Sequence, residues 1–278
     1  MNFTLIETKE DLAFLNQELL QRPIVGIDTE FRRTSKNNMK LALLQVNDGE
    51  EIYLIDTVLI SNPNNECDFL FSDSVLKIFH SCKEDLEAIY SWTNKIMVNL
   101  FDTQLANALL DGEYSIGYQG LVEEKLEIIL DKHETRSNWI RRPLSDSQLN
   151  YAATDVEYLI HLFNEQEKEL VKSNKIGWLN EEINALISLI FEPIKQEEAV
   201  EIKLTKSEEN NLLKKFNEIV ESVAEKEAVN PTLLFSKKNQ KEFLRLVLHQ
   251  GFRDASRFIT NWRKQLIKAP LEKILLER

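Results

Sequence analysis

The sequence predicts an α/β body with a mixed central sheet, followed by a small all-helical domain. Three observations predict it. Short apolar runs of strand character cluster in the first hundred residues, with capped amphipathic segments interleaved among them. Between two of these runs stands Asn47-Asp48-Gly49, a tight-turn sequence that makes them an antiparallel hairpin. Beyond residue 200 only helical periodicity remains. The chain of 278 residues suits one domain of ordinary size plus a smaller one. The boundaries expected are a body over 1–170, a helical linker over 171–200 and a helical domain over 201–278.

Thr8-Lys9-Glu10-Asp11 reads as a helix cap, with Leu12, Leu15 and Leu19 at helical spacing behind it and Pro23 as the stop. Val25–Phe31 is a strand, and the hairpin strands Lys40–Val46 and Glu51–Ile55 follow a polar turn over Thr34–Asn38. Val75–Phe79 is a short strand leading into a helix over Lys83–Trp92. Val98–Phe101 is a further strand, Asp102 caps a helix through Leu110, and Ser115–Glu123 is helical. Leu130–Pro143 is polar loop. Ser145-Asp146-Ser147-Gln148 is a capping box, and its helix is expected to run to about Val171. Pro193 breaks the linker. Thr205-Lys206-Ser207-Glu208 caps the next helix, Pro231 starts a turn, and Ser236 caps a helix that Gly251 ends. Asp254 is expected to begin the last helix, through Ile267.

Composition bounds the function. The apolar fraction is ordinary, no run is long enough to span a bilayer, and the N-terminus lacks a secretory pattern, so a cytoplasmic protein is expected. Cys67 and Cys82 are too few for a disulfide framework, and Cys82 reads as a small buried hydrophobe. The net charge of −12 taken alone argues against nucleic acid. It is unevenly spread, however: −17 over residues 1–198 and +5 over 199–278. An acidic body with a basic tail suits a metal-dependent enzyme that meets a polyanion. It equally describes a well-solvated surface.

Strand Val25–Phe31 carries the chemistry. Val25, Ile27 and Thr29 alternate with Gly26, Asp28 and Glu30, so the two acids share a face. Burying two carboxylates side by side is costly unless a cation sits between them, and a divalent metal is the simplest one. Asp85 follows a strand directly, and Tyr151 and Asp155 are i and i+4 on the capped helix, sharing one face. Four acids and a tyrosine from three segments suit two-metal phosphoryl transfer, with Mg²⁺ or Mn²⁺ ions about 3.5–4 Å apart. Asp28 is the natural bridge. Glu30 and Asp155 would serve the ion that activates water, Asp85 the ion at the leaving 3'-oxygen. The Tyr151 hydroxyl would orient the water. Each piece alone has a plainer reading: Asp85 as a first-turn helix acid, Tyr151 as a core residue with its hydroxyl at the rim.

Taken together, the motifs Ile27-Asp28-Thr29-Glu30-Phe31, His80-Ser81-Cys82-Lys83-Glu84-Asp85-Leu86-Glu87 and Pro143-Leu144-Ser145-Asp146-Ser147-Gln148-Leu149-Asn150-Tyr151-Ala152-Ala153-Thr154-Asp155-Val156 resemble those of ribonuclease D. That family belongs to the superfamily of 3'-5' exonucleases named for four acids and a tyrosine. Phe101–Ala106 and Gly117–Val122 add to the likeness, which covers nearly all of residues 1–170. The resemblance implies a ribonuclease H-like exonuclease fold with Asp28, Glu30, Asp85 and Asp155 as metal ligands and Tyr151 orienting water. It implies that Thr29 and Phe31 contact the terminal nucleotide through backbone and ring; for Phe31 plain core is the alternative. Ser137-Asn138-Trp139 departs from the family's Ser-Asp-Trp, with a local hydrogen-bond change expected rather than loss of activity. Many members carry two HRDC helical domains. Here Asn230–Leu234 and Asn261–Leu266 resemble the last of the two.

Arg136, Arg141 and Arg142 precede the capped helix and would fork onto substrate phosphates, or else pair with surface acids. His80 at a strand end is expected to make a structural hydrogen bond. The expectation is a two-metal 3'-5' exoribonuclease that trims the single-stranded 3' ends of structured RNA precursors, transfer RNA above all, releasing 5'-mononucleotides, as a monomer. A DNA 3'-5' exonuclease and a catalytically idle RNA-binding module are the alternatives.

Overall fold

The computed structural model describes residues 2–35, 38–130, 137–192 and 205–276. It divides into two compact units, one of Met1–Gln104 with Ile116–Lys168, the other of Leu105–Ser115 with Glu169–Arg278.

The first unit is built on a six-stranded mixed sheet in the order β1-β4-β3-β2-β5-β6. Its strands are β1 (Thr4–Ile6), β2 (Ile24–Ser35), β3 (Asn38–Asn47), β4 (Ile52–Ile55), β5 (Leu76–Phe79) and β6 (Leu100–Asp102). The β2–β3 and β3–β4 pairs are antiparallel and the other neighbours parallel. Strand β3 is buried from Leu41 to Val46, as expected of a central strand covered on both faces. Each such Leu or Val contributes roughly 1.5–3 kcal/mol by leaving water. Helices α1 (Lys9–Leu19), α2 (Lys83–Thr93), α4 (Tyr118–Leu126), α5 (Asp146–Glu157) and most of α6 (Leu159–Lys172) complete the first unit, while α3 (Thr103–Leu109) belongs mostly to the second.

The predicted local signals act as read. The Thr8 hydroxyl accepts the Asp11 N–H, and Ser145 and Gln148 close a reciprocal capping box. In the β3–β4 turn the Asn47 carboxamide oxygen accepts the Gly49 N–H at 2.8 Å, Asp48 accepts those of Glu50 and Glu51, and Gly49 has φ +91°. Three features differ from expectation or go beyond it, the first being that the strands continue into the segment read as a polar turn, with β2 reaching Ser35 and β3 beginning at Asn38. Strand β1 joins the sheet edge through β4, although its three residues show no alternation worth reading. The pairing of β2 with β3 slips between Glu30↔Leu43 and Phe31↔Leu41, so that Ala42 is an extra residue, a β-bulge.

The second unit carries α7 (Ile176–Phe191), α8 (Lys206–Glu227), α9 (Pro231–Phe235), α10 (Lys237–Ala255) and α11 (Asn261–Leu276). The segment read as linker holds α7, which packs on α11: Trp178 stacks on Trp262 at 4.9 Å, and buried Glu182 accepts from Trp262, Thr260 and Arg263. Pro231 opens a short helix rather than a turn, because its missing N–H costs nothing at the first helical position. Gly251, with φ +81° and ψ 161°, is non-helical and ends the first stretch of α10 as read, a short second stretch following it, and the last helix starts at Asn261 rather than Asp254. Pro193 lies outside the described residues. No described helix is long and apolar enough to cross a membrane.

Candidate active site

Strand β2 presents Asp28 and Glu30 from one face, toward α5. On that same face lies Gly26, where an added Cβ would stand 3.1 Å from Leu159 Cβ and 3.5 Å from the Val156 carbonyl. The lack of a side chain at Gly26 lets the end of α5 descend onto β2. That descent brings Asp155 to the two strand acids: carboxylate oxygens of Asp28, Glu30 and Asp155 lie within 4.8 Å of one another. Sequence reasoning required that Asp28 and Asp155 come close enough to share one ion, and this separation allows it.

The remaining predicted residues lie around the cluster. Tyr151, one turn before Asp155, hydrogen-bonds the Asp155 carboxyl through its hydroxyl, and its ring rests beside buried Trp139 at 6.2 Å. Asp85, buried on α2, accepts the Thr29 hydroxyl at 2.5 Å. Asp85 stands outside the three-carboxylate group but near enough to raise the Asp28 carboxyl. The Thr29 side chain is thereby committed to holding Asp85. Phe31 is half-buried beside the bulge. His80 is fixed at both ring nitrogens, by Thr103 Oγ1 at 2.9 Å and the Ile116 carbonyl at 3.0 Å, a structural role as read.

Electrostatics mark the site as short of positive charge. Burial, then Asp85, Asp155 and Glu30, push the Asp28 carboxyl well above its usual range. Burial, then Asp155 and Asp85, lift Glu30 to about 9. Burial lifts Asp155 to about 7 against the Tyr151 hydrogen bond, and lifts Asp85 to about 7 against that of Thr29. Burial and the neighbouring acids also raise Tyr151, so its phenol stays protonated near neutrality. An all-oxygen carboxylate set that repels itself fits a hard divalent cation such as Mg²⁺ or Mn²⁺.

The arginines part company. Arg136 lies outside the described residues, and Arg141 is exposed on the loop before α5. Arg142 corrects the expectation of a phosphate fork. Its guanidinium forks onto Asp56, with Nη2 2.8 Å from Oδ1 and Nε bonded to Oδ2, and donates to the carbonyls of Ala42, Trp139 and Arg141. All five of its N–H groups are used. Arg142 is a brace for the loop that carries Trp139, and it has no donor left for substrate.

Sequence reasoning missed two supports. Gln45, wholly buried opposite Asp28 in the β2–β3 register, donates to Asp28 Oδ2 at 3.4 Å. The signal was available: a glutamine inside the apolar run Leu41–Val46, directly across from an acid. Asn47, read only as a turn residue, also reaches α5 through its amide, as described below.

Residues 3–171 match the family described as 3'-5' exonuclease. Among curated proteins the chain is 38% identical to Ribonuclease D of Shewanella sp. (strain ANA-3) over 184 residues, which cover 65% of this chain and 47% of that protein. The chain thus spans about half the length of the curated relatives it matches. Among solved structures, Escherichia coli RNase D, an exoribonuclease involved in structured RNA processing, superposes with TM-score 0.66 at 24% identity, over 98% of this chain and 75% of that one. Brucella melitensis NrnC with bound Mg²⁺ superposes with TM-score 0.59 at 23% identity, over 72% of this chain and 98% of that one. At such identities the two structures bear on the fold alone.

Proposed function

The chain belongs to the 3'-5' exonuclease family, and from that premise we propose that it is a metal-dependent 3'-5' exoribonuclease. In this reading it hydrolyses the terminal phosphodiester of structured RNA precursors, transfer RNA chiefly, and releases 5'-mononucleotides. The single observation that carries the reading is the meeting of Asp28, Glu30 and Asp155 within 4.8 Å, from a strand and a helix far apart in the chain. Relatives named Ribonuclease D support RNA as substrate, and the Mg²⁺ held by a neighbour of the same fold supports a divalent ion.

Two divalent ions, when bound, would supply the charge that deprotonates water near neutral pH and stabilises the departing 3'-oxygen. Asp28, Glu30 and Asp155 would hold that charge, and Asp85 would contribute from its place against Thr29. Gln45 keeps Asp28 Oδ2 oriented. Tyr151, protonated and hydrogen-bonded to Asp155, orients the attacking water and does not act as its base. Thr29 and Phe31 meet the terminal nucleotide through backbone and ring, and exposed Arg141, with Arg136, meets phosphates. Residues 1–170 carry the chemistry. Residues 201–278, net positive and HRDC-like, add grip on RNA, in a cytoplasmic monomer.

The test is Mg²⁺-dependent shortening of a 3'-tailed RNA by wild type, Asp28→Asn and Asp155→Asn, with folding checked by circular dichroism. Each variant is expected to lose activity at least a thousandfold, on the order expected when metal-held charge stabilisation is removed. Full activity in either one overturns the proposal. A matched DNA oligomer in the same assay assigns the sugar preference, since only RNA offers the 2'-hydroxyl.

A further inference from the structure

Helices α5 and α6 follow each other without a loop, and the sequence periodicity runs straight through the junction. The structure breaks them at Tyr158, which has φ −106° and ψ 3°. The break has an identifiable cause. In a continuous helix the Thr154 carbonyl would accept the Tyr158 N–H. Here the Tyr118 hydroxyl stands between them, donating to the Thr154 carbonyl at 3.1 Å and accepting from the Tyr158 N–H at 3.0 Å. Further along the same turn, the carbonyls of Val156 and Glu157 accept from Nδ2 of Asn47 at 3.0 and 3.1 Å. A side chain inserted into a helical ladder opens and bends it. Asp155 lies within the stretch that these four bonds span, between Thr154 and Tyr158.

The inserted groups are themselves held firmly. Tyr118 packs edge-on against His80 at 5.9 Å, and both His80 nitrogens are bonded. Asn47 is buried at the end of β3, its oxygen locked in the Gly49 turn. Both therefore report the position of the sheet and of α4 to the last turn of α5. Their bonds go to backbone, so they set where that turn lies and not merely how a side chain rotates.

We propose that Tyr118, assisted by Asn47, is a positioning residue for Asp155: its hydroxyl wedges open the end of α5 and so aims the Asp155 carboxylate at Asp28 and Glu30. The proposal rests on the exonuclease reading of that site. Outer-sphere partners of metal ligands typically govern affinity by roughly 10–100-fold, and a wedge acting through the backbone on either side of the ligand belongs with them.

The experiment uses the full chain. Tyr118→Phe keeps the ring and its contact with His80 but removes the hydroxyl, so the Thr154–Tyr158 bond can close directly. Calorimetric titration with Mn²⁺, without RNA, is expected to show affinity about tenfold weaker. With 3'-tailed RNA, kcat is expected to fall to a similar extent while KM stays unchanged, and the melting temperature is expected to hold or rise. Asn47→Asp keeps the oxygen that serves Gly49 and loses both donations to α5; the same loss of Mn²⁺ affinity is expected. Wild-type affinity and kcat in Tyr118→Phe overturn the proposal, as does a loss that merely tracks a lower melting temperature. Asp155→Asn runs beside them. If it too binds Mn²⁺ like wild type, the site reading itself has failed; if it alone loses binding, only the wedge has.

Discussion

Replacing Arg142 by alanine should destabilise the fold and leave RNA capture intact. The Arg142 side chain is 17% exposed and its partner Asp56 2%. Beyond Arg142, the Asp56 carboxylate accepts the N–H groups of Val58 and Leu59 at 3.0 and 3.1 Å. Removing one member of a buried ion pair costs roughly 3–5 kcal/mol, because the other charge stays buried. The two backbone donors soften that loss, which places the cost near the low end, about 3 kcal/mol. At about 2–4 °C per kcal/mol for a protein of this size, the melting temperature should drop by roughly 6–12 °C. Arg142→Lys should recover only part, since one ammonium cannot serve both Asp56 oxygens and three carbonyls. Thermal unfolding followed by circular dichroism gives the first quantity, and fluorescence anisotropy on a labelled 3'-tailed RNA gives the second. The double variant with Asp56→Ala completes a cycle in which the two losses should fall well short of additive. A variant that melts within about 2 °C of wild type yet binds RNA severalfold more weakly would refute the brace and restore the phosphate contact.

Two further outcomes follow from the site. Without metal, the raised carboxyls of Glu30 (about 9) and of Asp85 and Asp155 (about 7) hold protons that an unfolded chain releases near pH 4. Their stability contribution is therefore full below that pH and lost as pH rises through 7 and on to 9. Melting scans in chelator should fall across that window and saturating Mn²⁺ should flatten them; a level metal-free profile would contradict the crowding of acids. Gly26→Ala should cost about 1–3 kcal/mol, because Leu159 and the α5 terminus must yield to the new methyl. Its activity should fall further than its folded fraction, with Mn²⁺ affinity as the check, and wild-type affinity would show that the acids tolerate the shift.

The parts of this molecule legible in sequence are those with local causes. Caps at Thr8, Ser145 and Thr205 are written within four residues, and each forms. The alternation that put Asp28 and Glu30 on one face needs only the strand's own period. The i,i+4 spacing of Tyr151 and Asp155 needs only the helix. What escaped depends on partners distant in the chain. Arg142 reads as a loop cation until Asp56, 86 residues earlier, is seen to fill its fork. The apolar spacing through Leu159 and Phe163 continues unbroken, so nothing local betrays the wedge that Tyr118 drives into α5 from 36 residues away. Strand β1 is three residues long and earns its place only through pairing with β4. Glu182, one charge among many in the sequence, is buried because Trp262, Thr260 and Arg263 surround it.

The surplus residue in β3 gives two separated acid-bearing segments a common reference point. Ala42 is skipped beside the Glu30–Leu43 rung, and its carbonyl is the one Arg142 grips at 2.7 Å. The connection leading into α5 is hooked to the ladder at the rung that displays Glu30. A deletion that healed the ladder would slide β3 by one step, send its alternate side chains through the sheet and withdraw the hook. An imperfection in strand pairing thus serves as an alignment mark, from which the approach to Asp155 and the seat of Glu30 are both measured.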